Sequence, residues 1–189
     1  MSNPMTMTNS PLGGQSFKGL AQITEAPLTG MITLRGDLSA GWMADAVKQA
    51  TGALIPQQRM ITSGTGASAA WMSPDELLLL VDYKAAEGIT KGLNTATAGQ
   101  FCTAANVSNA RVLIDIKGQG ARSVLGKLTP ADLRPESLAP MEMRRSRIAQ
   151  VPAAFWLAGE DHFRLIAFRS VAQYAFDILK SAAHPAAAV

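Results

Sequence analysis

Two stretches decide the fold: AAWMSPDELLLLVD at residues 69–82 and AAFWLAGEDHFRLIAF at residues 153–168. Each reads as a strand of small residues and Trp, an acidic turn, and an apolar strand that runs on into a helix. Apolar runs of this length bounded by turn residues are the mark of buried or half-buried strands. In the turn Ser73-Pro74-Asp75 the proline presets the first φ angle, and Gly159-Glu160-Asp161 turns the second hairpin. A second pair of segments repeats at a similar distance. ITLRGDLSAGWMADAV (32–47) and VLIDIKGQGARSVL (112–125) are each a strand, a glycine turn and a helix. Both comparisons give an offset of about 80 residues, which points to internal duplication rather than chance likeness between amphipathic hairpins. The implied unit, β-α-β-β-α plus a closing strand, is a ferredoxin-like βαββαβ half. The expected class is therefore α+β. Two pseudo-repeats, about 30–106 and 107–183, would form antiparallel or mixed sheets covered by helices.

Outward from these segments the remaining elements fall into place. MITLR (31–35) is a strand, and Ser39 is the expected N-cap of a helix ending near Gly52. A helix over 83–97 precedes a strand from Phe101 to Ala105. RVLIDIK (111–117) alternates as a strand and leads into a helix over 119–128. A basic strand spans 142–149. The last helix runs from Ser170 to Ala183 with Val171, Tyr174, Ala175, Ile178 and Leu179 on one stripe. Residues 1–29 are rich in Ser, Thr, Asn, Pro and Gly without a period, and read as a flexible N-terminal arm. Pro185 closes the last helix, leaving 184–189 as a flexible tail.

Composition narrows the functions. Of 189 residues, 48% are hydrophobic and only 16% charged, below the roughly 25% of an ordinary soluble domain. So thin a charge suggests a surface covered by a partner. The balance of 17 Lys+Arg against 14 Asp+Glu is mild, and the one dense cluster, Arg144, Arg145 and Arg147, lacks interleaved aromatics. A nucleic-acid partner is not expected. The longest clean apolar run, Leu77 to Val81, is far short of a membrane span, and the N-terminal stretch lacks a signal-peptide pattern. With Cys102 as the single cysteine, the expected location is a reducing cytoplasm.

Chemistry finds little to work with. His184 sits in the tail beside Pro185, and His162 reads as a solvated hairpin residue. Cys102, in an apolar strand, reads as an inert core thiol. Two histidines and one cysteine give no chelating spacing, so no metal is expected. The acidic pairs Glu160-Asp161 and Asp75-Glu76 lie in turns, where carboxylates serve solvation. Gly118-Gln119-Gly120 opens a helix after a strand, but the third glycine position of a dinucleotide fingerprint is Ser123, and the segment reads as a tight turn. Ser63-Gly64-Thr65-Gly66 lacks the lysine of a P-loop. Trp42, Trp71 and Trp156 read as core, with Trp71 and Trp156 at similar hairpin positions. Arg144, Arg145 and Arg147 are either a solvated basic strand or a docking edge whose guanidinium forks meet a partner's carboxylates. No catalytic, cofactor-binding or metal residue is assigned.

Several of these segments together resemble the gamma subunit family of heterotetrameric sarcosine oxidase. The hairpin WMSPDELLLL (71–80) is similar to that family's Trp-x-x-Pro-Asp-Glu turn. VSNARVLIDIKGQGARSVLGKLTPADLRP (107–135) resembles its strand, Gly-x-x-Ala-Arg helix start and Asp-Leu-x-Pro exit. FRLIAFRSVAQYAFDIL (163–179) resembles its closing strand and terminal helix. The resemblance implies a fold like the folate-binding domain of aminomethyltransferases. It further implies alpha and beta partner subunits carrying NAD, FAD, FMN and tetrahydrofolate, and a delta subunit carrying zinc. The complex would demethylate sarcosine oxidatively to glycine, forming hydrogen peroxide and methylene-tetrahydrofolate. This chain would be its non-catalytic accessory subunit, binding no cofactor alone. The competing expectation is a free-standing tetrahydrofolate-binding protein or enzyme, with Asp115 as a weak candidate for the pterin edge.

Overall fold

The computed structural model describes residues 10–187. In chain order the strands are β1 (Ser16–Lys18), β2 (Gln22–Glu25), β3 (Thr29–Arg35), β4 (Ile61–Ser63), β5 (Ser68–Ser73), β6 (Glu76–Asp82) and β7 (Thr103–Asn106). They continue with β8 (Arg111–Lys117), β9 (Met143–Ile148), β10 (Val151–Gly159) and β11 (His162–Phe168). The α-helices are α1 (Gly41–Thr51), α2 (Ala86–Ala96), α3 (Ala121–Gly126) and α4 (Ala172–Ala183). The strands form two antiparallel sheets, ordered β4-β5-β6-β3-β7 and β1-β2-β8-β11-β10-β9.

Each sheet is covered by its own helices on one face and by the other sheet on the opposite face. Ile32, Leu34, Leu77 and Leu79 pack against Met43 and Val47 of α1 and Leu93 of α2. Ile114, Ile116, Phe155, Phe163 and Leu165 pack against Val124 of α3 and Phe176 and Leu179 of α4. Between the sheets, Met31, Ile61, Leu78 and Leu80 meet Leu113, Met143, Trp156 and Ile166. Successive strand residues face opposite sides, so a strand buried on both faces is apolar throughout. This is why Leu77 to Val81 form an unbroken buried run.

The duplication is real in the pairing register. Ile32 opposite Leu79 in the first unit corresponds to Ile114 opposite Leu165 in the second. Both hairpins carry a register shift near the turn, between Trp71 and Ser73 and between Leu157 and Gly159. By that register Trp156 (opposite Arg164) matches Ala70 (opposite Leu78), and Trp71 (opposite Leu77) matches Leu157 (opposite Phe163). The two tryptophans therefore do not occupy equivalent positions. Trp156 fills the space between the sheets, while Trp71 is half-buried.

The main correction concerns the N-terminus. Residues 16–18 and 22–25 are strands, not a flexible arm, and residues 1–9 lie outside the described residues. In the first unit β7 closes the sheet beside β3; in the second no strand follows α4 among the described residues, and β2 takes the matching place beside β8. Ile23, opposite Ile116, is fully buried there. Glu25 fastens the preceding segment: its buried carboxylate accepts hydrogen bonds from the Leu12 N–H at 3.0 Å, the Gly14 N–H at 2.7 Å and the Ser10 hydroxyl. The second unit thus begins at residue 16 as well as at residue 107. At the other end, Pro185–Ala187 form a 3-10 turn held by Lys127 Nζ on the Ala187 carbonyl at 2.6 Å; residues 188–189 lie outside the described residues.

Smaller differences have local causes. Ser39 does not cap α1, because its hydroxyl and N–H are both committed to Asp37 Oδ1, and Ala40 is the cap residue. Gly52 ends α1 with φ 71°, the left-handed conformation that glycine adopts without penalty. β4, too short to show a period, forms the edge of the first sheet.

Candidate functional site

The three arginines singled out by the sequence lie together on β9, the edge strand of the second sheet, but alternation sends them different ways. Arg144 bonds to Glu142 and to the Ser137 carbonyl. Burial by itself would raise the pKa of Glu142; hydrogen bonds from Arg144 and the Ala139 N–H, with the charges of Arg144 and Arg59, outweigh it and hold the carboxyl below its usual range. Arg144 is thus consumed in anchoring the loop that precedes β9. Arg145 projects from the opposite face, where its Nη1 donates to the Met72 carbonyl of the first sheet at 2.7 Å. Arg147 is exposed.

Arg145 lies at the mouth of a cavity of about 580 Å³ where the two sheets part. Met72 and Glu76 line it from the first sheet; Arg111, Pro152, Ile166 and Phe168 line it from the second. Arg111 stands at the start of β8, opposite Phe168 of β11, with its guanidinium 5.8 Å from the centre of the half-exposed Phe168 ring. Burial pushes the pKa of Arg111 down, Glu76 opposes that, and Arg145 adds to it. Glu76 itself is buried and pairs with Arg35 at 2.7 Å. The cavity is a basic, half-apolar cleft of the size that holds small molecules.

A second charged cluster sits further along the same β8–β11 pair. Asp115 is buried, and its Oδ1 lies 2.8 Å from His162 Nε2 and 3.1 Å from Arg164 Nε, with Lys117 Nζ 3.8 Å from Oδ2. His162 is therefore not a solvated hairpin residue: it leads β11, and its ring is drawn onto Asp115. Asp115 is held through Oδ1 by His162 and Arg164, while Oδ2 has Lys117 at ion-pair distance. A buried carboxylate requires such partners, and Asp115 serves here to join β8 to β11.

The other candidates resolve into structure. Cys102 lies just outside β7, half-buried against the helix-covered face of the first sheet, beside a fully exposed Phe101. His184 Nδ1 accepts the Ala186 N–H at 3.2 Å. The Gly118–Gly120 turn is filled from within: a Cβ on Gly120 would lie 2.2 Å from the Leu20 carbonyl oxygen. The glycine is needed for close approach of the N-terminal segment, and a phosphate has no room there. Arg122, just inside α3, bonds to the Leu133 carbonyl and stacks over Phe163 at 5.3 Å, tying down the 127–142 loop. Among the described residues no group of three or more His, Cys, Asp or Glu is placed to hold a metal, and no helix is long and apolar enough to cross a membrane.

Sequence reasoning found Arg145 but missed Arg111, Glu76 and Phe168 as its neighbours, and it missed the Asp115–His162–Arg164 cluster. The second could have been read from RVLIDIK and HFRLIAF, since pairing them end to end puts Asp115 opposite Arg164. The cleft could not, because it needs the two sheets brought face to face.

Comparison with known proteins places the fold and the chain. A chain of the heterotetrameric sarcosine oxidase from Corynebacterium sp. U-96, solved with pyrrole 2-carboxylate, superimposes with a TM-score of 0.80 over 92% of this chain and 91% of that one, at 24% identity. The glycine cleavage system aminomethyltransferase T from Bartonella henselae matches with a TM-score of 0.61 over 82% of this chain and 44% of that one, at 14% identity. The expected aminomethyltransferase-like α+β fold is thus found. In sequence, sarcosine oxidase subunit gamma of Corynebacterium sp. strain P-1 is 26% identical over 80% of this chain and 74% of its own length. That of an Arthrobacter species is 29% identical over 78% and 70%. The model of the sarcosine oxidase, gamma subunit family matches residues 35–185, most of both duplicated units, and the chain therefore belongs to that family.

Proposed function

We propose that this chain is the accessory gamma subunit of a heterotetrameric sarcosine oxidase, docking onto larger alpha and beta subunits and a small delta subunit in the cytoplasm. The observation that carries the reading is the match of nearly the whole fold to a chain of such a heterotetramer, joined to the family membership. The complex would oxidise sarcosine to glycine with formation of hydrogen peroxide and methylene-tetrahydrofolate. FAD, FMN, NAD, tetrahydrofolate and zinc would be held by the other subunits. The role of this chain is structural, a reading supported by two ionisable clusters that are spent on internal ties, Asp115 on His162 and Arg164 and Glu142 on Arg144. A nucleophile needs a base in hydrogen-bond reach, and Cys102 and His162 lie in different units. The exposed Arg147 and Phe101 are candidates for the partner surface.

The test is reconstitution. Co-expressed with the other three subunits, the chain is expected to co-purify in equal proportion. A chain that stays alone, or that by itself binds tetrahydrofolate tightly in calorimetric titration, defeats the reading; the second result would favour a free-standing folate-binding protein.

A further inference from the structure

The cleft where the two sheets part joins two features with no counterpart inside the chain. Of the guanidinium groups around it, Arg144 is held by Glu142 and Ser137, Arg59 reaches Glu142 at 3.7 Å, and Arg35 is held by Glu76. Arg111 and Arg145 remain. Among the described residues Arg145 has one hydrogen bond, to a neutral carbonyl, and Arg111 has the face of Phe168; neither has a carboxylate within 4.0 Å. Among the described residues Glu76 is the one acid lining the cavity, and it is already paired with Arg35. The cleft therefore carries an excess of positive charge in a half-buried place, where a guanidinium without an anion forfeits its strongest hydrogen bonds. The second feature is the wall: Met72, Pro152, Ile166 and the half-exposed Phe168 ring present an apolar face beside those charges. An apolar wall next to guanidinium groups with no carboxylate in contact is suited to a ligand with one anionic end and one flat or greasy end.

We infer that this cleft is a binding site for a small organic carboxylate, its anionic group taken by Arg111 and Arg145 and its apolar body laid against Phe168, Met72 and Ile166. Inorganic anions would satisfy the arginines but leave the wall wet, and neutral aromatics would do the reverse. The cavity of about 580 Å³ admits a one- or two-ring carboxylate. The inference is independent of subunit assembly, since every residue it uses belongs to this chain.

Isothermal titration of the full chain at constant ionic strength tests it, with sodium 2-naphthoate as probe and 2-naphthalenemethanol and inorganic phosphate as comparators. The expected result is saturable 1:1 binding of 2-naphthoate and weaker or no binding of either comparator. Arg111→Gln and Arg145→Gln should each weaken 2-naphthoate binding about tenfold or more, as loss of a charge-assisted contact does. Arg147→Gln, on the same strand but outside the cavity, should leave it unchanged. If Arg111→Gln does not fold, Arg145→Gln alone decides, because Arg145 is exposed and its loss leaves no core side chain unpaired. No saturable binding, equal binding of the alcohol or of phosphate, or full affinity in the arginine variants would each overturn the assignment.

Discussion

The two units occupy the same register with different chemistry, and the difference lies on the faces they turn toward each other. In the first unit the central pair places Thr33 opposite Leu78; in the second the same slot holds Asp115 opposite Arg164. At one end of the pair, Arg35 opposite Glu76 is matched by Lys117 opposite His162. At the other end, Thr29 opposite Asp82 is matched by Arg111 opposite Phe168. The helix-covered faces remained apolar in both units, because α1 with α2 and α3 with α4 seal them from water. The inter-sheet faces are sealed only in the middle. Away from it charge is tolerated, and there the second unit differs from the first by carrying two charged clusters, one closing on itself around Asp115 and the other leaving Arg111 and Arg145 beside a cavity.

The closing strands differ as well, and the largest effect should come from that difference. Deleting residues 1–25 removes β2 from beside β8, exposes Ile116 and the backbone edge of β8, and discards the Glu25 tie. The truncated chain is expected to show no cooperative melting transition by circular dichroism. A normal transition would mean that the second unit does not depend on its borrowed strand.

Equivalent core truncations sharpen the comparison next. Leu79→Ala and Leu165→Ala, at matching fully buried positions, should each cost about 2–5 kcal/mol in urea unfolding. Because the units share the Met31–Trp156 layer, both variants are expected to unfold in a single transition. Two resolved transitions in either would show that the halves are separate folding units.

The diverged slot itself should give a smaller, unequal response. Asp115→Ala strips the carboxylate from His162 and Arg164 and is expected to cost about 1–3 kcal/mol, the partners being only partly buried. Thr33→Ala, at the matching position, should fall within about 1 kcal/mol of wild type. Equal losses would mean that the ion cluster adds nothing beyond packing.

The smallest effect expected is on the acid limb of stability. The folded pKa of Glu142 is depressed, so its contribution is complete above the unfolded value near 4.5 and is lost as pH falls through the folded value. Glu142→Gln should therefore flatten the stability profile below about pH 4.5 while leaving its shape near neutrality unchanged. An unaltered acid limb would show that the Arg144–Glu142 tie does not persist in solution.

Much of this was legible in the chain. RVLIDIK and the two hairpins declare themselves because their periods are set by burial on one or two faces, and Gly52 ends α1 because the turn needs a positive φ. The stripe on α4 is rotated from the expected one: Ala175 and Leu179 are buried, but Tyr174 is exposed and Ala172 and Phe176 face the core instead. β2 was not legible. QITE is four residues in a segment full of Pro, Gly and polar side chains, and only its partner β8 makes it a strand. His162 was misread for a related reason: its neighbours in sequence are turn acids, while its neighbour in space is Asp115, 47 residues away.

The sequence alone therefore determined the duplicated unit, the class of fold and the family, since these rest on local periodicity and on motifs in order. Tertiary structure decided which end of the chain completes the second sheet, which of three adjacent arginines are consumed internally, and that Arg111 and Arg145 share a cleft with Phe168. Those are facts about faces meeting. A strand's period tells which side chains share a face, but not what lies opposite that face.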